Sequence, residues 1–487
     1  MNPRRLFVAS CIALIASAFS FVTRGDILPA LGSTFDLNQT SRGEIAGKAF
    51  MGMAISMFIG APICDALGLK RMLGLAFLCH IAGSALTVGA PYLVPHDADP
   101  QTRTAIAYWI LYVAMLLVGA ANGFVEIGIN PLTATLYPKE KTHRLNVLHA
   151  WWPGGLLLGG FLASILINKA MGLPDDGIAV IKGGDGATTV DAAQTMLGWQ
   201  IKAALVFIPT LIYGALFLFE KIPVTERVEA GVSSKEMYSQ VLRPMFIVWA
   251  ICMLMTAAVE LGPQQWQNSV LTKTSGISGT YIIMYTSFMM FLLRHFAGPI
   301  AHRLSPVGML TGSAVLTGIG LYLLSYANNA LTAFAYATIY GLGIVYFWPT
   351  MLGVTAERFA KGGAFLLGLM GCVGNLAIAL ILPFMGQIYD NGTLAALPPE
   401  AQAVVKNPDG QLDQDKLQAL RKAEPVVVEP AEASGAQQAF RRVAVLPILL
   451  VVIFGSIAIF DRLRGGYKPE ELSTSKEFTE SELASDF

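Results

Sequence analysis

Apolar runs long enough to cross a bilayer recur along this chain, and nothing else in it narrows the fold so far. A membrane-spanning helix needs about 20 mostly apolar residues to match a hydrocarbon core of ~30 Å. Such runs lie near 6–31, 44–66, 71–93, 104–136, 144–168, 198–220, 243–269, 279–304, 307–327, 331–356, 362–389 and 442–462, which predicts twelve spans. Helices are required because backbone groups in lipid must find partners within the segment, and the runs lack the alternating pattern of barrel strands. Composition agrees, with 54% hydrophobic and 14% charged residues and a mean hydropathy of +0.56. Lysine plus arginine equals aspartate plus glutamate at 33 each, a balance that points to no nucleic-acid partner. Cys11, Cys64, Cys79, Cys252 and Cys372 stand alone in apolar runs without CxxC spacing, as packing residues do.

Charge placement orients the spans. Arg4, Arg5, Lys70, Arg71, Lys139, Lys141, Arg144, Lys221, Arg227, Lys235, Arg303, Arg358, Lys361, Arg462 and Arg464 fall on alternate connections, predicting a multi-pass inner-membrane protein with both termini cytoplasmic. The start mimics a signal peptide, but its apolar pattern continues to Leu31, so the segment is expected to remain as the first span. One outer connection, near 390–441, is long, polar and rich in Ala, Pro and Glu, which favours disorder over a partly helical lid.

The chain also repeats itself. "APICDALGLKR" after the second span returns as "GPIAHRLSPVG" after the eighth, and the fourth and tenth spans each carry a proline at comparable depth. Matching interruptions in two halves point to a transporter. The expected organisation is a six-helix half over 1–220, a cytoplasmic linker over 221–242, a second half over 243–463 and a cytoplasmic tail over 464–487. Asp65, Gly68, Lys70 and Arg71 follow the loop pattern of the major facilitator superfamily, with Ala61 in place of its first glycine, and the chain resembles that superfamily over nearly its whole length. The resemblance implies an all-α fold of two pseudo-symmetric halves that rock by alternating access. The Asp65, Gly68, Lys70 and Arg71 loop is expected to gate it, and Arg294, deeper in the eighth span, is expected to be a gate or a structural partner for carboxylates.

Polar stripes interrupt the spans. Asn122, Glu126 and Asn130 lie at i, i+4 and i+8 on one helix face, and Glu260, Gln264 and Asn268 repeat that spacing on the seventh span. Tyr340 and Trp348 occupy the tenth span, Asp26 the first and His149 the fifth. Hydrogen-bonding groups on one side and aromatic faces on the other suit a sugar or related polyol, with Asn122, Asn130, His149, Glu260, Gln264, Asn268, Tyr340 and Trp348 as binding residues. Ionisable residues inside a bundle mark ion pathways, which singles out Asp26, Glu126 and Glu260. Burial and a neighbouring cation such as Arg24 or Arg294 act in opposite senses on the charge of Glu126. Glu44 and Lys48 read as a local ion pair, and His80 as a hydrogen-bonded core histidine.

Within the superfamily, "GDILPALGSTFDL", "EIGINPLTATLYP" and "HRLNVLHAWWPGG" resemble three motifs of the fucose:proton symporter family. That resemblance assigns proton coupling to Asp26 and Glu126 and sugar contact to His149; Gly25, Arg24 and His295 depart from the family pattern. The expectation is proton-coupled import of a sugar or polyol by a monomer, without cofactor. A proton-coupled exporter, a sodium-coupled importer and a non-transporting receptor are the alternatives. No P-loop, nucleophile elbow or metal-spaced cluster suggests an enzyme.

Overall fold

The computed structural model describes residues 1–95, 97–182, 188–276 and 278–472; the side chains at 39, 181, 182, 188, 265–270 and 272–274 lie outside that description. It divides into two compact units, one formed by Met1–Arg243, Thr355–Cys372 and Glu470–Phe487, the other by Pro244–Val354 and Val373–Pro469.

In the first unit the long helices are α1 (Pro3–Phe35), α2 (Gln39–Leu67), α3 (Leu69–Leu93), α4 (Pro100–Leu136) and α5 (Lys141–Gly160), which runs on through a π-helical stretch Phe161–Ile167 to Met171. A hairpin of β1 (Val180–Lys182) and β2 (Thr188–Val190) precedes α6 (Ala192–Ala204) and α7 (Phe207–Phe219). Short helices α8 (Glu226–Glu229) and α9 (Ser234–Ser239) follow. Starts obey local chemistry: Asn2, Asn38 and Asp99 each accept a backbone N–H with their side chains before α1, α2 and α4. Helices α2 and α4 touch backbone to backbone, since a Cβ on Gly119 would collide with the Ala49 carbonyl and one on Gly52 with that of Leu116. Gly68 turns the chain from α2 into α3 at φ +87°, a conformation side-chain-bearing residues avoid.

The second unit contains α10 (Pro244–Ser275), α11 (Gly279–Arg294), α12 (Ala297–Leu304), α13 (Pro306–Leu324), α14 (Ala330–Ile344), α15 (Phe347–Arg358), α16 (Gly363–Ala396), α17 (Pro399–Val405), α18 (Gln414–Ala423), α19 (Pro425–Val443) and α20 (Val445–Leu463). Residues 355–372, the end of α15 and the start of α16, belong with the first unit.

Eleven helical stretches among the described residues are long and apolar enough to cross a membrane. The twelfth expected span, 279–304, is divided at His295–Phe296 into α11 and α12, each too short to qualify alone. The tenth is also broken, at Val345–Tyr346, with Pro349 in the first turn of α15. Helix α4 passes through its matching Pro131 without a break, so the two prolines act differently.

The 390–441 segment is ordered, contrary to the disorder favoured by its composition. Leu397, Ala401, Val405, Leu412, Leu417, Val428 and Ala431 close into a small core of their own. The Asp413 side chain caps α18, and a Lys406–Leu412 bridge ties the turn before it. Its apolar residues are sparse but fall at helical spacing, which lets short amphipathic helices bury them.

Candidate functional site

Proline supplies several polar contacts in the bundle, because it cannot donate to the carbonyl four residues earlier. In α4, Pro131 leaves the Ile127 carbonyl without its helical donor, and Cys64 Sγ approaches it at 3.8 Å. In α10, Pro263 frees the Val259 carbonyl, which takes the Tyr340 hydroxyl at 2.9 Å. Pro349 frees the Val345 carbonyl, which takes Arg294 Nε at 2.7 Å.

In the first unit Glu126 is 6% exposed. Asn130 Nδ2 donates to its Oε2 at 2.7 Å, the i, i+4 spacing having placed both on one face of α4. His149 Nε2 lies 3.0 Å from Asn130 Oδ1 and 3.8 Å from Glu126 Oε2. These three predicted residues therefore form one cluster, and among the described residues neither lysine nor arginine pairs with Glu126.

Asn122, the third member of that stripe, belongs to a different network. Tyr213 hydroxyl and His80 Nδ1 are 2.9 Å apart, His80 Nε2 is 2.9 Å from Asn122 Oδ1, and Asn122 Nδ2 donates to Ser20 Oγ at 3.1 Å. The Ser20 hydroxyl in turn donates to the Ser17 carbonyl. This chain joins α1, α3, α4 and α7, so His80 is the hydrogen-bonded core histidine the sequence suggested, and Asn122 is engaged in helix packing.

Asp26 meets a cation that attention to acidic residues passes over. Lys202 Nζ, at the last turn of α6, lies 2.6 Å from Asp26 Oδ2, and Ser164 in the π-helical stretch donates to Oδ1 at 2.7 Å. A lysine inside an expected span carries the same signal as an intramembrane acid. Arg24 does not approach Glu126; it stacks over Phe21 and Phe50 with centroid distances of 4.8 and 4.9 Å. Glu44 and Lys48 form no ion pair: Glu44 accepts the Tyr108 hydroxyl at 2.6 Å, and Lys48 Nζ lies over the Tyr112 ring. Aromatic residues of α4 satisfy both before they reach each other.

The predicted gating loop is pinned by the linker. Arg227 Nε donates to Asp65 Oδ2 at 2.6 Å and the Thr225 hydroxyl to Oδ1 at 2.7 Å, while another Arg227 nitrogen donates to the Val232 carbonyl. Glu226, beside Arg227, pairs with Lys141 at 2.6 Å. Glu357 accepts from the Thr142 N–H and hydroxyl at 3.0 and 2.7 Å, placing an anion at the start of α5. Lys70 caps the end of α7 through the Leu218 and Glu220 carbonyls, and Arg71 reaches only the Leu67 carbonyl at 3.5 Å. Sequence reasoning placed Arg227 and Lys141 as orienting charges; their partners became visible only in the fold.

In the second unit Arg294 Nη2 donates to Glu260 Oε1 at 3.1 Å, both side chains 3% exposed. The pair sits where α11 ends and where α14 breaks from α15, and the Tyr346 hydroxyl donates to the Leu293 carbonyl at the same break. Arg294 thus has the carboxylate partner that was one of its two expected roles. Tyr340 is wholly buried, its hydroxyl spent on the Val259 and Glu260 carbonyls, so it offers no open aromatic face. The Trp348 ring covers Gly374 beside Met253. Gln264 Nε2 approaches Met290 Sδ at 3.4 Å. The Asn268 side chain lies outside the described residues. Among the described residues, no three His, Cys, Asp or Glu side chains converge as metal ligands.

Comparison with known proteins adds the family. The cis,cis-muconate transport protein of Acinetobacter baylyi is 24% identical over 421 residues, spanning 79% of this chain and 91% of that protein. The fucose:proton symporter FucP of E. coli, solved in the outward conformation, aligns at a TM-score of 0.65 with 14% identity, over 91% of this chain and 98% of that one. The E. coli proton:xylose symporter XylE aligns at 0.68 with 12% identity, over 93% and 95%. These structural likenesses establish the fold. The profile of the Major Facilitator Superfamily matches residues 6–382, and with its membrane-spanning helices and this architecture the chain belongs to that superfamily of transporters.

Proposed function

We propose that the protein is a secondary active transporter that imports a sugar or related polyol by proton symport through alternating access. The carrying observation is the Glu126, Asn130 and His149 cluster. Asp26 and Glu260 each face a fixed cation, whereas Glu126 faces an imidazole, a group able to share or relay a proton. Glu126 therefore carries the coupling proton, with His149 as its partner, and Asp26 joins when its contact with Lys202 opens. The proton gradient supplies the energy, and the protein works as a monomer in the inner membrane with both termini cytoplasmic.

Recording pH in a weakly buffered suspension of proteoliposomes, while sugars are added singly, tests this. One sugar should alkalinise the medium, and Glu126→Gln should abolish both that signal and uphill accumulation. Full accumulation by Glu126→Gln would remove Glu126 from the coupling role.

A further inference from the structure

Arg24 is 7% exposed, and among the described residues no carboxylate, carbonyl or hydroxyl pairs with it. Its contacts are the Phe21 and Phe50 rings, 4.8 and 4.9 Å from the guanidinium carbon, and aromatic rings accept no conventional hydrogen bond from its N–H groups. It lines a small, partly open pocket with Ser20, Thr23, Ser84, Thr87 and Met115. Ser84, 3% exposed, is likewise without a hydrogen-bond partner among the described residues. Asp26 stands only two residues further along α1, but two helical steps turn it roughly 200° away, and it is held by Lys202 at 2.6 Å. The pocket therefore presents an uncompensated cation and a spare hydroxyl donor. A buried charge is unfavourable unless something pairs with it.

We propose that Arg24 docks a carboxylate of the transported solute, with Ser84 as a second donor, so that the substrate is a small organic acid such as a sugar acid or a short dicarboxylate. The inference rests on the proton-coupled transport reading above and gives it an acidic substrate, a sugar acid within the class named there or a dicarboxylate outside it. A planar guanidinium edge matches a carboxylate in two parallel hydrogen bonds, which a hydroxyl-only solute cannot supply. The relative whose name carries muconate, a dicarboxylate, is consistent in chemistry. Val118, also lining the pocket, lies eight residues before Glu126 on α4, about 12 Å along the helix. Anion docking by Arg24 of α1 and Ser84 of α3 is thus separate from proton binding at Glu126 of α4.

The test is binding to the purified full-length protein in detergent, without any gradient. The probes are cis,cis-muconate and glucuronate, with dimethyl muconate and glucose as neutral counterparts. At least one acid should bind more tightly than its neutral counterpart. Arg24→Gln should weaken that acid by about 10- to 100-fold, and Arg24→Lys and Ser84→Ala by smaller factors. Muconate alone or glucuronate alone would tell a dicarboxylate from a sugar acid. Equal binding of acid and neutral forms, unchanged acid affinity in Arg24→Gln, or no binding by either acid would overturn the proposal and leave Arg24 as a brace between α1 and α2. If Arg24→Gln does not fold, Arg24→Lys and Ser84→Ala decide, and unchanged acid affinity in both overturns it. Because no gradient is present, failure of proton coupling leaves these results intact. Conversely, neutral-sugar uptake with alkalinisation would keep the symport reading while removing the anion site.

Discussion

Replacing Lys202 by methionine keeps an unbranched side chain in place but deletes the charge that faces Asp26. The side chains are 1% and 10% exposed and meet at 2.6 Å, so neither end is rescued by bulk water. Asp26 would retain only the Ser164 hydroxyl. Removing one member of a buried pair typically costs about 3–5 kcal/mol, because the other charge stays behind. Asp26→Asn should cost a similar amount by stranding the ammonium. Removing both charges leaves nothing stranded, and buried pairs replaced by neutral side chains are often close to neutral in stability. The double variant Asp26→Asn/Lys202→Met should therefore fall within about 2 kcal/mol of the unaltered protein. The measurement is equilibrium unfolding in mixed dodecyl-maltoside and dodecyl-sulfate micelles, analysed as a double-mutant cycle. An interaction energy of at least ~2 kcal/mol is expected. Additive penalties, or a loss under ~1 kcal/mol for Lys202→Met, would refute the claim that this pair ties α6 to α1.

Asp65→Asn should destabilise the first unit by about 3 kcal/mol in the same unfolding assay, because Arg227 loses its buried counter-ion; Asp65→Asn/Arg227→Met should recover most of that, and no recovery would sink the assignment. Gly119→Ala should abolish monodisperse protein on size-exclusion chromatography, since its Cβ would meet the Ala49 backbone rather than a movable side chain, and a well-behaved variant would show that α2 and α4 can separate. Tyr340→Phe should cost about 1 kcal/mol in unfolding, as the proline-freed Val259 carbonyl loses its donor while the ring stays packed. A neutral result there would mean that the carbonyl finds another partner.

Twelve apolar runs, the superfamily loop motif and the polar spacing along α4 were legible in the sequence because each is a local property. Membrane span length follows from bilayer thickness, and Glu126 and Asn130 must share a face at i, i+4 whatever surrounds them. His149 joining them, Lys202 meeting Asp26 and Arg227 meeting Asp65 are contacts across 19, 176 and 162 positions of chain, respectively, and no local rule specifies those. The same limit explains the misses. Glu44 and Lys48 had the spacing for an ion pair, but tertiary neighbours offered Tyr108 and Tyr112 first. The 390–441 segment has the composition of a disordered loop, yet its few apolar residues meet one another once the helices fold. Sequence alone determined that this chain is a helical membrane protein, since hydrophobic length and periodicity act segment by segment, while its internal repeat and loop motif carried the resemblance to a two-half transporter superfamily. Tertiary structure decided which buried charges are neutralised and which are left available, because that depends on what packing brings within about 3 Å. Arg24 and Glu126 stand out for that reason: in sequence they are two ionisable residues among several in the spans, and in the fold both are buried with no opposite fixed charge against them among the described residues.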